Sequence, residues 1–254
     1  MNLSFDLDCA RAFGGINRLY GPQALARLQQ AHVTVVGLGG VGSWAAEALV
    51  RSGLGRLRLI DLDQVAESNI NRQAQALTST LGQAKVVALT ERLRLINPQC
   101  QLEGVEDFLS ADNMTHLLDK TSAVVDAIDD VRTKAVLAAY CHKQGLPLVM
   151  CGAAGGKTDA SRVRVADLAL THNDPLLSKV RARLRKDYGF PSGQVRAKKM
   201  GICAVYVDQP PAVAPLDCTP GAALSCAGYG SAMHITATVG LAAVGQLLNW
   251  LTVK

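Results

Sequence analysis

The stretch Val33-Thr34-Val35-Val36-Gly37-Leu38-Gly39-Gly40-Val41-Gly42 constrains this chain more than any other. A β-branched run ends in glycines, and an amphipathic segment over 41–51 follows at once. That order reads as strand, tight turn and helix, with Gly37, Gly39 and Gly42 at the spacing of a dinucleotide-binding fingerprint. One glycine lets the chain turn, one lets backbone N–H groups approach a phosphate, and one lets helix and strand pack closely. The helix N-terminus then offers unpaired N–H donors and a positive dipole end to an anion. A second apolar strand over 57–60 ends at Asp61, near the distance expected of a carboxylate that binds ribose hydroxyls. An adenine nucleotide is therefore expected; a glycine turn with no ligand is the alternative.

The rest of the chain extends this unit. The apolar fraction of 49% is enough for a sizeable core, and a length of 254 residues suits one large α/β domain or a domain with an extension. Residues 10–30 read as a leading arm, with a turn-rich patch over 14–21 and a short helix over 23–30. A polar, irregular run, Asp61 to Gln73, follows the second strand, where such folds hold ligands. A helix with Lys85 near its start comes next, then a strand over 100–105, a helix over 110–119 capped by Ser110, and a buried strand over 122–126. That strand runs into Ala127-Ile128-Asp129-Asp130. A helix over 131–144 and a strand over 146–151 complete the regular alternation. Beyond Gly152 the pattern changes to a half-exposed strand over 162–167, a helix over 174–187 rich in Lys and Arg, a strand over 202–206, a proline-rich loop and an apolar closing segment.

Taken in order, Gly37-Leu38-Gly39-Gly40-Val41-Gly42, Asp61-x-Asp63, Ser68-Asn69-Ile70-Asn71-Arg72-Gln73, Lys85 and Asp126-x-x-Asp129 resemble the ThiF/MoeB family of adenylating enzymes, relatives of the ubiquitin-activating enzymes. The likeness covers about residues 11–155. Phe13 to Gly21, Cys151 to Lys157 and Leu224 to Ser231 extend it over nearly the whole chain, toward the branch of the family that dehydrates threonylcarbamoyladenosine in tRNA. The resemblance implies a Rossmann-like α/β fold, a mostly parallel sheet flanked by helices. It implies a single domain over 1–254, with the nucleotide-binding part at 11–155 and an α+β extension at 156–254.

It also implies roles. ATP would be held by Gly37, Gly39, Gly40, Gly42, Asp61, Asp63, Asn69, Arg72, Lys85 and Asp129, with Asp61 on the ribose and Asp129 on Mg²⁺. Arg72 and Lys85 would supply fixed positive charge to a reacting phosphate, and Asn69 would hydrogen-bond phosphate or ribose. Arg18 would reach the phosphates from the partner subunit of a homodimer. The substrate implied is a threonylcarbamoyl carboxylate beside the anticodon of tRNA. The basic residues Lys179, Arg181, Arg183, Arg185, Lys186, Lys198 and Lys199 fit phosphate neutralisation.

Each residue alone has a plainer reading. Arg72 and Lys85 read equally as solvated helix residues, Asp126 and Asp129 as acids at a helix N-terminus, and Asn69 as a turn residue. For the basic run the plainer reading, a solvated helix face, ranks below the phosphate-binding one. The ordered set is what carries the inference.

The seven cysteines form no C-x-x-C pair, so no zinc is expected; that disfavours the family's activators of sulfur-carrier proteins. Cys226 reads as a small buried hydrophobe, with a sulfur or redox role, and a cysteine desulfurase or sulfur-acceptor partner, left open. Monovalent-cation binding is open too. The odd cysteine count and an acidic start without a basic n-region lead us to expect a cytoplasmic protein. Residues 231–253 carry no Asp, Glu, Lys or Arg and are long enough to span a bilayer, but Ala, Gly and Thr dilute them; a buried core or dimer helix is expected. The alternatives are adenylation of the C-terminus of a ubiquitin-like sulfur carrier, an NAD-dependent oxidoreductase, and a non-catalytic tRNA-binding scaffold.

Overall fold

A computed structural model describes residues 7–192, 198–212 and 229–252. Strands β1 (His32–Val36), β2 (Arg56–Ile60), β3 (Gln101–Val105), β4 (Ala123–Asp126), β5 (Leu148–Cys151), β6 (Val163–Asp167) and β7 (Cys203–Val207) form one sheet in the order β3-β2-β1-β4-β5-β7-β6. Every neighbouring pair is parallel except β6 with β7. β1, β4 and β5 are buried on both faces, as their unbroken apolar runs require of a sheet covered by helices on each side. The two strands beyond residue 156 join this same sheet.

Helices cover each face. On one side α3 (Gly42–Arg51) and α4 (Lys85–Arg94) close a core around Val33, Val35, Leu49, Leu57, Leu59 and Leu89. On the other, α6 (Val131–Gln144) and α7 (Pro175–Tyr188) close a second around Val124, Met150, Leu137, Leu177, Val180 and Tyr206. The chain's last helix, α8 (Met233–Thr252), lies against α3, α2 (Ala24–Gln30) and strands β5 and β7. It is long and apolar enough to cross a membrane, yet 56% of its most apolar window is buried inside the protein. Ile235, Val239, Ala243, Val244 and Leu247 face the core, so its apolarity is that of a core helix, as expected. A Cβ on Gly240 would stand 2.5 Å from the Val41 carbonyl, so the missing side chain sets how closely α8 approaches the start of α3.

Two local expectations fail. The patch over 14–21 is not a turn: all of it but Gly21 lies within α1 (Cys9–Tyr20). Asp8 caps this helix by accepting from the Arg11 N–H at 3.1 Å, Phe13 is buried beside Gly53, and Gly21, at φ +103°, ends it. Cap and apolar anchor together outweigh two helix-weakening glycines. The helix expected over 110–119 shrinks to α5 (Met114–Leu117). Ser110 does cap this segment, its Oγ accepting from the Asn113 N–H at 3.4 Å while Asn113 Oδ1 accepts from the Ser110 N–H at 2.8 Å. Asn113 Nδ2 also donates to the Phe108 carbonyl at 2.7 Å, a local alternative to a longer helix.

Candidate active site

The strand order reverses between β1 and β4, and a cavity of about 580 Å³ opens at their carboxyl ends. Such switch points are where open α/β sheets hold ligands. One wall is the glycine turn. Gly37 has φ +86°, and a Cβ there would lie 2.8 Å from the Ala127 carbonyl oxygen. At Gly42 a Cβ would lie 1.8 Å from the Gly37 carbonyl oxygen, so this glycine packs helix on strand and does not line the cavity. Around Gly39 nothing comes within 4 Å of the absent Cβ, and the residue faces the cavity. No described residue therefore requires glycine at that position. The start of α3 carries no acidic residue in its first turn and no side-chain cap, which leaves its backbone donors for an anion.

The opposite wall carries the charges. Asp61 accepts from the Leu38 N–H at 2.5 Å and from the Asp63 N–H at 2.8 Å. Burial pushes its carboxyl up, against the pull of Lys85 and these two donors. Lys85 opens α4 and is buried, with its Nζ 2.6 Å from Asp63 and 3.9 Å from Asp61. The backbone sews the two segments together: Lys85 N–H donates to the Asp63 carbonyl at 2.9 Å, and Val65 N–H to the Gln83 carbonyl at 2.8 Å. Asp63 thus holds Lys85 in place. Arg72 lines the cavity with Nη1 on the Ser68 carbonyl at 2.6 Å and on Asn71 Oδ1 at 2.9 Å. Its own carbonyl accepts from Trp44 Nε1 of α3 at 2.8 Å, which ties the irregular run to the fingerprint helix. Asn69 is buried on the cavity with Oδ1 accepting from the Ala66 N–H at 3.1 Å.

Asp129 lines the cavity from the turn between β4 and α6; its carboxylate accepts no hydrogen bond from any described residue. Its neighbour Asp130 instead caps α6, accepting from the Thr133 N–H at 2.8 Å. Among the described residues no group of three or more His, Cys, Asp or Glu could hold a metal unaided. Asp61, Asp63, Asp107 and Asp130 also line the cavity but accept from donors of the protein. A carboxylate such as Asp129, without a donor among the described residues and beside a phosphate cradle, fits Mg²⁺, which takes one or two carboxylates and completes its shell with phosphates and water.

The structure thus brings Gly37, Gly39, Gly40, Asp61, Asp63, Asn69, Arg72, Lys85 and Asp129 onto one cavity. It leaves Arg18 outside that cavity. Arg18 is exposed in the last turn of α1, its guanidinium against Gly14 and Gly15. Cys226 lies outside the described residues. Sequence reasoning missed Gln73, Thr133 and the Gly152–Gly155 segment as cavity walls, together with Phe108 and Leu109. It also missed the buried Gln75, whose Nε2 donates to the Leu38 carbonyl at 2.9 Å. Only Gln73 and Gly152–Gly155 stood inside motifs that could have flagged them.

The basic residues of the extension divide. Lys179, Lys186, Lys198 and Lys199 are exposed. Arg183 reaches Asp187 at 3.2 Å, and Arg185 Nε donates to the Pro191 carbonyl at 3.2 Å. Arg181 turns into the protein, with Nη1 donating to the Thr171 carbonyl at 2.9 Å, Thr171 Oγ1 at 2.7 Å and the Leu168 carbonyl at 3.1 Å. It corrects the reading of a uniformly outward basic face: its position one turn after Leu177 points it at the Leu168–Thr171 loop.

A doubly wound parallel sheet with cations and carboxylates gathered over a glycine turn defines a nucleotide-binding fold equipped for chemistry on phosphate. The chain belongs to the ThiF family, which matches residues 15–254. It is 47% identical over 246 residues to the tRNA threonylcarbamoyladenosine dehydratase of Haemophilus influenzae, an alignment covering 95% of this chain and 94% of that protein. Two crystal structures of the Escherichia coli tRNA N6-threonylcarbamoyladenosine dehydratase, TcdA, are similar throughout, each 42% identical and covering 96% of both chains. The complex with AMP superposes with a TM-score of 0.87 and the complex with ATP with 0.86.

Proposed function

We propose that this chain is an ATP-dependent dehydratase that closes threonylcarbamoyladenosine in tRNA into its cyclic form. The observation that carries the reading is the convergence of Arg72, Lys85 and Asp129 on a glycine-walled cavity in a chain whose full-length relatives are dehydratases. The threonyl carboxylate attacks the α-phosphorus of ATP, and pyrophosphate leaves. Charge grows on the phosphate oxygens, so the catalytic need is for cations held in advance of the reaction. Lys85 and Arg72 meet it. Asp61 takes the ribose, Asn69 the ribose or phosphate, and Asp63 acts through Lys85. Asp129 would hold Mg²⁺, which when bound neutralises phosphate charge. The carboxylate, now an acyl-adenylate, is attacked by the ureido nitrogen of the same modification. The ring closes, AMP departs, and water is lost overall. No step needs a protein thiol.

Mass spectrometry of nucleosides from tRNA incubated with enzyme and ATP tests this. Conversion to a product lighter by one water, with AMP and pyrophosphate formed, is expected. Pyrophosphate exchange driven by a Gly-Gly-terminated carrier protein, and not by tRNA, would instead support the sulfur-carrier alternative.

Three further elements belong to this reading. The substrate implies a cytoplasmic enzyme. Arg18, outside its own cavity, serves the partner's site in a homodimer. Cys226 and a cysteine desulfurase or sulfur-acceptor partner are separable from the chemistry, so Cys226→Ser is expected to cyclise tRNA at the wild-type rate.

The extension supplies the tRNA surface, through the exposed Lys179, Lys186, Lys198 and Lys199. Reversing these four charges is expected to weaken tRNA binding and to reduce the slope of affinity against salt by about one for each phosphate no longer neutralised. Arg181→Ala is expected to leave tRNA affinity unchanged and to cost about 1–3 kcal/mol of stability, because it strands the carbonyl of the buried Thr171. Filter binding across a salt series, with thermal melts alongside, separates the two. Unchanged binding by the four-lysine variant would remove this surface from the proposal.

A further inference from the structure

Asp126 ends β4 and is fully buried. Its Oδ1 accepts from Lys134 Nζ at 2.8 Å and from the Ile128 N–H at 3.1 Å, and Nζ also reaches the Asp126 carbonyl at 3.3 Å. Its Oδ2 is buried without a partner among the described residues. Lys134, in α6, is fully buried as well. Neither residue lines the cavity.

A buried ion pair is a weak source of stability, since two charges must leave water, and an unsatisfied oxygen makes the balance worse. Stability alone does not account for this pair. Its position does. The turn that carries Asp129 begins at Asp126 and ends at Asp130, the cap of α6. Ala127 N–H donates to the Val36 carbonyl at 2.9 Å, which sews the turn to the end of β1. Ile128 is held by Asp126 Oδ1, and α6 is drawn to the same carboxylate through Lys134. The turn is thus fastened on both sides of Asp129, whose carboxylate is left free.

We propose that Asp126 and Lys134 are positioning residues: their buried pair fixes the turn over 127–130 and so aims Asp129 at the nucleotide-bound divalent cation. This rests on the reading of Asp129 as the carboxylate that would hold Mg²⁺. Of the carboxylates on the cavity, Asp61, Asp63, Asp107 and Asp130 are each engaged by donors of the protein, and Asp129 takes none from the described residues. Displacing Asp129 therefore weakens metal-nucleotide binding, while metal-free AMP depends on other walls of the cavity.

Calorimetric titration of the full-length protein with Mg-ATP, and separately with AMP in EDTA, tests the proposal. Lys134→Met is expected to weaken Mg-ATP binding by about tenfold or more, as loss of an outer-shell partner does, and AMP binding by less than about twofold. Because that variant strands a buried carboxylate, the double variant Asp126→Leu with Lys134→Met provides the second arm. It is expected to melt at or above the wild-type temperature and to show the same selective loss. A purely structural pair predicts lowered melting in Lys134→Met and unchanged affinities in whatever folds; wild-type Mg-ATP affinity in the folded double variant overturns the proposal. Asp129→Ala separates the premise from the inference. If it binds Mg-ATP normally, the reading of Asp129 fails and the proposal with it. If it is weakened while both pair variants bind normally, the proposal alone fails.

Discussion

Lys85→Met is expected to slow tRNA-dependent exchange of pyrophosphate into ATP by about 10²–10³-fold, the loss typical of removing one fixed electrostatic donor from a reacting centre. Lys85 is 6% exposed and already held 2.6 Å from Asp63 before any nucleotide arrives. A buried cation placed at the cavity in advance needs only a local change of partner, from Asp63 to phosphate, when nucleotide binds, and in a partly dry site it would act more strongly than in water. Asp63, whose side chain is 62% exposed, would return to water on the proposed transfer of the lysine to the phosphates, so the resting pair costs little to break. Methionine keeps the length and apolar stem of lysine and removes only the charge. Asp63→Asn is expected to retain most of the exchange activity, because it takes away the partner of the resting lysine and not that of the phosphate. Steady-state exchange measured on both variants, with circular dichroism to confirm folding, decides the matter. A Lys85→Met enzyme within about fivefold of wild type would take Lys85 out of the chemistry, since a fivefold loss is under about 1 kcal/mol.

The difference between Lys85 and Lys134 shows what a sequence reading can reach. Lys85 stands at a fixed place in an ordered set of motifs, and the set located it. Lys134 stands four residues after the cap of an amphipathic helix, where a lysine ordinarily reads as part of a solvated face. Nothing in the spacing says that it turns inward to Asp126. The same limit applies to Arg181 on α7, which periodicity groups with its outward neighbours. The sheet was more legible, because apolar runs, glycine stops and acidic strand ends recur in a parallel alternation with few competing readings; α6 agrees at both ends with its expected span. At α1 the competing signals were local, Gly14 and Gly15 against the cap at Asp8 and the apolar anchor Phe13, and long-range packing decided between them. Cavity walls such as Phe108, Leu109 and Thr133 are set by where the fold brings distant segments together, which no single stretch records.

Alanine substitutions at Gly39 and Gly42 are expected to have opposite consequences, although both glycines belong to one fingerprint. At Gly42 the new Cβ would stand 1.8 Å from the Gly37 carbonyl oxygen, a backbone atom that cannot swing aside. Either α3 moves off β1 or the turn deforms. Overpacking of this kind costs about 3 kcal/mol or more, and for a chain of this size each kcal/mol lowers the melting temperature by about 2–4 °C. Gly42→Ala should therefore melt roughly 6–12 °C below wild type. At Gly39 the Cβ meets nothing within 4 Å, and the backbone is not in the left-handed region. Gly39→Ala should melt within about 2 °C of wild type, since the added methyl disturbs no neighbour. That methyl group projects into the space where phosphate must approach the N-terminus of α3. A clash worth about 1–3 kcal/mol is roughly a five- to 150-fold loss of ATP affinity. Melting curves and ATP titrations on the two variants read these separately. If folded Gly39→Ala binds ATP as wild type does, close approach of phosphate to the turn is excluded, because no atom of the described residues requires a glycine there.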